Sequence, residues 1–157
     1  MKWIVLAVSV LFSIPSWASI YLVAPRTVVV QNQAGVSCFA EKNAAAADLA
    51  APHFRIPVTL ANPQRASFTP TSFRIFVFNK GQIHTCEFSG EVMHASGMGL
   101  PIPYGYQMTS SCDLGCGGID VPAGKKLTAT LEVIGEWVFA DGTKKAGFQE
   151  TSFEVTN

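Results

Sequence analysis

Between Leu127 and Phe139, apolar or small residues fall on every second position: Leu127, Ala129, Leu131, Val133, Gly135, Trp137 and Phe139. Thr128, Thr130, Glu132 and Glu136 take the alternate positions, interrupted by Ile134 and Val138. Side chains alternate across a strand, so a period of two sustained this long describes a strand with one face in a core. Such a strand needs paired neighbours and a second layer over its apolar face.

The rest of the chain supplies candidates. Phe54, Ile56, Val58 and Leu60 alternate with Arg55, Pro57 and Thr59 and predict a half-buried strand ended by Asn62-Pro63. Phe73 to Phe78 reads FRIFVF, apolar on both faces as a central strand would be, after a polar connection over 64–72 that contains Pro70. Asn79-Lys80-Gly81 supplies a turn, with Gly81 free to take positive φ. Tyr21 to Gln31 predicts an edge strand with Val28 and Val30 on one face, because Pro25 lacks the N–H a central strand needs. Val36 to Phe39 predicts a short strand carrying Cys38, and Glu41 to Ala50, EKNAAAADLA, has the composition of a short helical segment closed by Pro52. Asp141-Gly142 signals a hairpin into a last strand over Phe148 to Val155. Phe148 and Phe153 are out of phase there, so a bulge is expected between them.

Seven or eight strands with one short helical segment describe an all-β fold, an antiparallel sandwich of two sheets. The strand ending in Asn62-Pro63, Val121-Pro-Ala-Gly124 before the long amphipathic strand, and the Asp141-Gly142 hairpin are together similar to the immunoglobulin/fibronectin-III-like sandwiches of exported proteins. A similar arrangement occurs in water-stress and late-embryogenesis-type sandwiches. The resemblance runs from about Phe54 to the C-terminus and implies an Ig-like layout. The cysteine-bearing insertion departs from the common pattern, so no family's site residues carry over, and the architecture itself serves many functions.

The first residues, MKWIVLAVSVLFSIPSWA, combine one lysine, an apolar run from Trp3 to Phe12, a break at Pro15 and small residues at Ser16 and Ala18. This predicts a secretory signal peptide over 1–18 and a single sandwich domain over 19–157, hence a secreted or periplasmic protein. The apolar run is shorter than the roughly 20 residues that span a bilayer, and no later segment could span one after cleavage. The whole chain has 11 basic and 11 acidic residues. Without Lys2 the balance is 10 − 11 = −1. With no basic stripe beyond Lys125-Lys126 and Lys144-Lys145, a nucleic-acid partner is not expected.

Chemistry is concentrated between Ile83 and Gly118, which hold three of the four cysteines, two of the three histidines and three of the four methionines. In an oxidising compartment four cysteines predict two disulfides. If 82–88 and 104–112 pair as a hairpin about Gly99, Cys86 falls opposite Cys112, which leaves Cys38 for Cys116. Opposed Cα atoms at about 4.5–5.5 Å suit such a bridge. The C-x3-C spacing of Cys112 and Cys116 is not that of a thioredoxin-like loop. His84 beside Cys86 could activate a thiolate only if the thiol were free. The chain has no G-x-S-x-G or H-E-x-x-H motif, so no catalytic residue is assigned. Asp113 and Asp120 flank a glycine turn, a pattern that turn chemistry explains without calcium.

Two readings of the loop remain. Leu100, Ile102, Tyr104 and Tyr106 would form an apolar, proline-stiffened tip that docks on a protein or a surface polymer at little entropic cost. Alternatively Met93, His94, Met98 and Met108 would supply the thioether and imidazole ligands that select Cu(I), making a periplasmic copper-binding protein. The first requires no cofactor and gives a non-catalytic binding or structural role in the cell envelope.

Overall fold

The computed structural model describes residues 19–33, 35–37, 39–40, 47–49, 51–90, 93–94, 97–110 and 113–157, with the backbone alone for those between 35 and 49. The fold is all-β. Its largest sheet has the order β2-β13-β12-β8-β9, from Thr27–Val29 (β2), Lys144–Thr156 (β13), Lys126–Phe139 (β12), Ala66–Asn79 (β8) and Gln82–Ser89 (β9). Opposite it lie two three-stranded sheets. One is β1-β7-β10, from Tyr21–Val23 (β1), Thr59–Ala61 (β7) and Gln107–Thr109 (β10); the other is β4-β11-β6, from Phe39–Ala40 (β4), Leu114–Gly117 (β11) and His53–Ile56 (β6). Gly35–Ser37 (β3) pairs with Ala47–Leu49 (β5).

The alternation read from the sequence sets the core. On β12, Leu127, Ala129, Leu131, Val133 and Trp137 are buried, and Phe54, Ile56, Val58 and Leu60 face them from the other layer. Phe54 meets Phe153 of β13 edge to face, ring centroids 5.9 Å apart, so the two layers share one interior. Pro57 divides the predicted single strand into β6 and β7, which join different small sheets while keeping the same buried face. Pro25 acts in the same way at the N-terminus: β1 is the edge of one sheet and β2 the edge of the other, and Val28 and Val30 are buried as expected.

Several expectations are corrected. Residues 66–71 are strand, not connection. Pro70 is accommodated because the β8–β12 register shifts at Ile134/Gly135, a bulge that lets the ladder continue past a missing donor. Ala47–Leu49 is a strand, so pairing with β3 overrides alanine's helical preference there; 41–46 lie outside the described residues. No bulge separates Phe148 from Phe153. The β12–β13 register is unbroken, so Phe153 is buried and Phe148 is 61% exposed. The arms 82–88 and 104–112 do not pair with each other: β9 closes a hairpin on β8 and β10 pairs with β7. The two-residue Lys80-Gly81 turn has positive φ at both positions, the geometry that matches strand twist in a tight hairpin, and so fixes β9 beside β8. Pairing is mostly antiparallel, but β2–β13 and β4–β11 are parallel.

Candidate functional site

Two regions carry the residues singled out in the sequence. The first is the tip formed by 97–106. Ile102 sits in an isolated bridge with Phe68: its N–H donates to the Phe68 carbonyl at 2.7 Å and its carbonyl accepts from the Phe68 N–H at 3.1 Å. Asn62, itself buried, donates through Nδ2 to the carbonyls of Ile102 and Ala66, both at 2.7 Å, and its Oδ1 accepts from the Gln64 N–H at 2.9 Å. The Asn62 N–H donates to the Tyr106 carbonyl at 2.9 Å, and the Gly105 N–H donates to the Asn62 carbonyl at 2.8 Å. One buried amide thus ties the tip to β7 and β8.

On this frame Leu100, Tyr104 and Tyr106 are 57%, 55% and 65% exposed, whereas Ile102 is 2% exposed. Ile102, grouped with the tip from the sequence, therefore anchors the loop and cannot contact a partner. Tyr21, 61% exposed on β1, pairs with Ala61, the neighbour of Asn62. Tyr21 and Tyr106 thus flank the end of β7, roughly 10 Å apart by two strand spacings. Thr59 and Thr109 join hydroxyls at 3.0 Å on the same small sheet. Asn62 was read only as a strand terminator; an asparagine before proline at a strand end was the available signal for a side chain that organises a turn.

The methionines lie elsewhere in chemical terms. Met93 and Met98 are buried members of the core, Met108 packs partly buried against it, and His94 is exposed beside Met93 in a helical turn. Both buried methionines belong to the hydrophobic core, the usual setting of methionine as a filler.

The second region is the sulfur cluster. His84, Cys86 and Phe88 alternate on one side of β9, where Cys86 and Phe88 are buried and His84 is exposed. Cys86 is bonded to Cys116, with Cα atoms 5.8 Å apart, and not to Cys112. The reason is topological: with β10 committed to β7, β11 is the strand that faces β9 across the core. The bridge joins the five-stranded sheet to the opposite layer, and both cysteines are fully buried. Cys38 and Cys112 lie outside the described residues. The ligand atoms of His84, Cys86 and Cys116 lie within 4.8 Å of one another. With both sulfurs in a covalent bridge, neither is the thiolate that a metal or a substrate would need. His84 borders an open cleft of about 230 Å³ lined also by Asn79, Gln82, Ile83, Ile119 and Asp120. Asp113 and Asp120 are both exposed, one at either end of β11.

His53 is the first residue of β6 and fully buried, and among the described residues neither of its ring nitrogens has a hydrogen-bond partner. Burial, reinforced by the neighbouring Arg55 guanidinium, holds its imidazole below the usual 6.5.

No helix among the described residues is long and apolar enough to cross a membrane. No protein-family model matches the chain. No curated protein matches it either. Among solved structures it is similar to the X-ray structure of Northeast Structural Genomics Consortium target SoR45, at 14% identity and a TM-score of 0.46, over 88% of this chain and 87% of that one.

Proposed function

We propose that this chain is an exported, disulfide-stabilised β-sandwich with a non-catalytic binding role in the cell envelope, and that Leu100, Tyr104 and Tyr106 are its contact residues. The observation that carries this reading is the contrast within one loop: a backbone tied down by Asn62 and Phe68, and three large apolar or amphipathic side chains held in solvent. A partner docking there orders little that is not already ordered, which is what favours binding through a rigid aromatic tip. Export is supported by the signal-like first eighteen residues and by a buried cystine, and the absence of catalysis by a sulfur cluster consumed in that cystine. The immunoglobulin-like layout belongs to the same reading, with the cystine as the link between its layers.

The test is co-sedimentation of the labelled chain, starting at Ser19, with washed envelope material of the producing cell. Retention should fall at least about tenfold in the Tyr104→Ala/Tyr106→Ala variant. Equal retention of that variant, or none of the unaltered chain, would remove the tip from the function.

A further inference from the structure

The five-stranded sheet has an open edge. β2 covers β13 only at Glu154–Thr156, and among the described residues no strand pairs with the same side of β13 from Lys144 to Ser152. The direction of the peptide groups there follows from the covered end. Glu154 donates its N–H to the Arg26 carbonyl at 2.9 Å, and the Thr156 carbonyl accepts from the Val30 N–H at 2.8 Å. Even-numbered residues of β13 therefore turn their N–H and C=O groups away from β12. Because the β12–β13 register runs unbroken to Val138↔Lys144, the same parity holds for Lys144, Ala146, Phe148, Glu150 and Ser152. A row of five such residues is a template for another strand, and edges of this kind are ordinarily blocked or covered.

The side chains on that edge indicate which strand. Even-numbered residues also share the outer face, where Phe148 is 61% exposed and lies opposite Ile134 of β12. If a second copy of β13 approaches antiparallel with Gly147 on the two-fold axis, Lys144 faces Glu150 of the other copy and Ala146 faces Phe148, each pair occurring twice. All four of these pairs join edge-directed residues, so each exchanges two backbone bonds, roughly eight in all. Phe148 and its symmetry mate become diagonal neighbours within reach of one another, with Ile134 at either flank. Shifting the axis by one residue to Phe148 sets Lys144, which also pairs with Glu136 of its own chain at 2.9 Å, against Ser152 and sets Glu150 against Ala146, which leaves Glu150 without an opposite. The new strand also ends before Glu154, where β2 begins, so the β2–β13 pairing is kept.

We propose that this edge is the interface of a homodimer, in which two copies of β13 pair antiparallel about Gly147 and the two five-stranded sheets join into one. The interface is self-complementary, as a two-fold contact requires. A ladder this short buries less surface than a standard interface, so the dimer is a weak one. It does not require the tyrosine tip.

The experiment is sedimentation velocity of the disulfide-intact chain from Ser19, from roughly 1 to 500 µM, a range that brackets weak association. Three variants at exposed positions accompany it, each checked for unaltered far-ultraviolet circular dichroism. Ala146→Pro removes only an edge-directed N–H, so it spares the β12 ladder and should abolish the dimer. Lys144→Glu places like charges at both ends and should weaken the dimer roughly tenfold or more. Combining Lys144→Glu with Glu150→Lys restores opposite charges and should recover dimerisation. A chain that stays monomeric at the highest concentration would overturn the interface. So would a dimer indifferent to Ala146→Pro. Failure of the charge exchange to rescue Lys144→Glu would overturn the register about Gly147.

Discussion

His53 and Gly135 each place a cost where the sequence pattern alone shows none. A buried imidazole takes up a proton less readily in the folded chain than in the unfolded one, where it does so near pH 6.5. Its folded value is depressed, so the unfolded state binds more protons and stability rises with pH. The contribution is present above about pH 6.5 and is lost as pH falls from there through the lower folded value. Chemical denaturation of the unaltered chain at pH 7.5 and pH 5 should show this loss. His53→Leu should remove that part of the dependence and be at least as stable at pH 5, since it also removes an unsatisfied polar group. Gly135 matters for another reason. It pairs with Gly147, and the two leave the surface over which the Phe68 and Trp137 rings pack, with centroids 4.7 Å apart. A β-carbon at Gly135 would run into the Phe68 ring and the Thr69 carbonyl. Gly135→Ala should therefore destabilise by about 3 kcal/mol, read from the denaturation midpoint at unchanged slope.

At the level of elements, Asn62 gives the sharpest expectation. Asn62→Ala leaves the Ile102 and Ala66 carbonyls without their side-chain donor in a buried setting, at a cost of about 2 kcal/mol. Amide hydrogen exchange at Ile102 and Gly105 should speed up more than at Leu131 in mid-β12, because the loop is loosened before the sheet; uniform acceleration would contradict a local anchoring role. How much of this was legible follows the range of the forces involved. The buried faces of β12 and of the Phe54–Leu60 run were readable because alternation is local, and so was the turn at Lys80-Gly81. Partner choice was not. Cys86 opposite Cys112 followed from symmetry about Gly99, but the tight hairpin commits β9 to β8, and β10 finds its partner in β7, so Cys116 arrives across the core. Pro70 read as a break because the bulge that accommodates it lies in the register with β12, far along the sequence. Phe148 read as core because the eye pairs aromatics, whereas an unbroken ladder fixes it outside. Within the tip, exposure of Tyr104 and Tyr106 was inferable from composition, while the inward turn of Ile102 depended on a contact with Phe68.

At the scale of the molecule, two layers close on one apolar interior and a single described cystine crosses between them. Reducing agents should lower the denaturation midpoint, since a bridge closing a 30-residue separation is worth about 3–4 kcal/mol in the chain-entropy account. If all four thiols are oxidised, Cys38 and Cys112 are left for each other. The tip and the β13 edge are then two outward surfaces of one covalently clamped scaffold. The most direct measurement is the intact mass of the protein recovered from its producing cell without reduction, followed by mapping of its cross-linked proteolytic fragments. The expected result is a chain beginning at Ser19, four hydrogens lighter than its reduced form, with Cys86 linked to Cys116 and Cys38 to Cys112. Four free thiols, or Cys86 linked to Cys112, would contradict it.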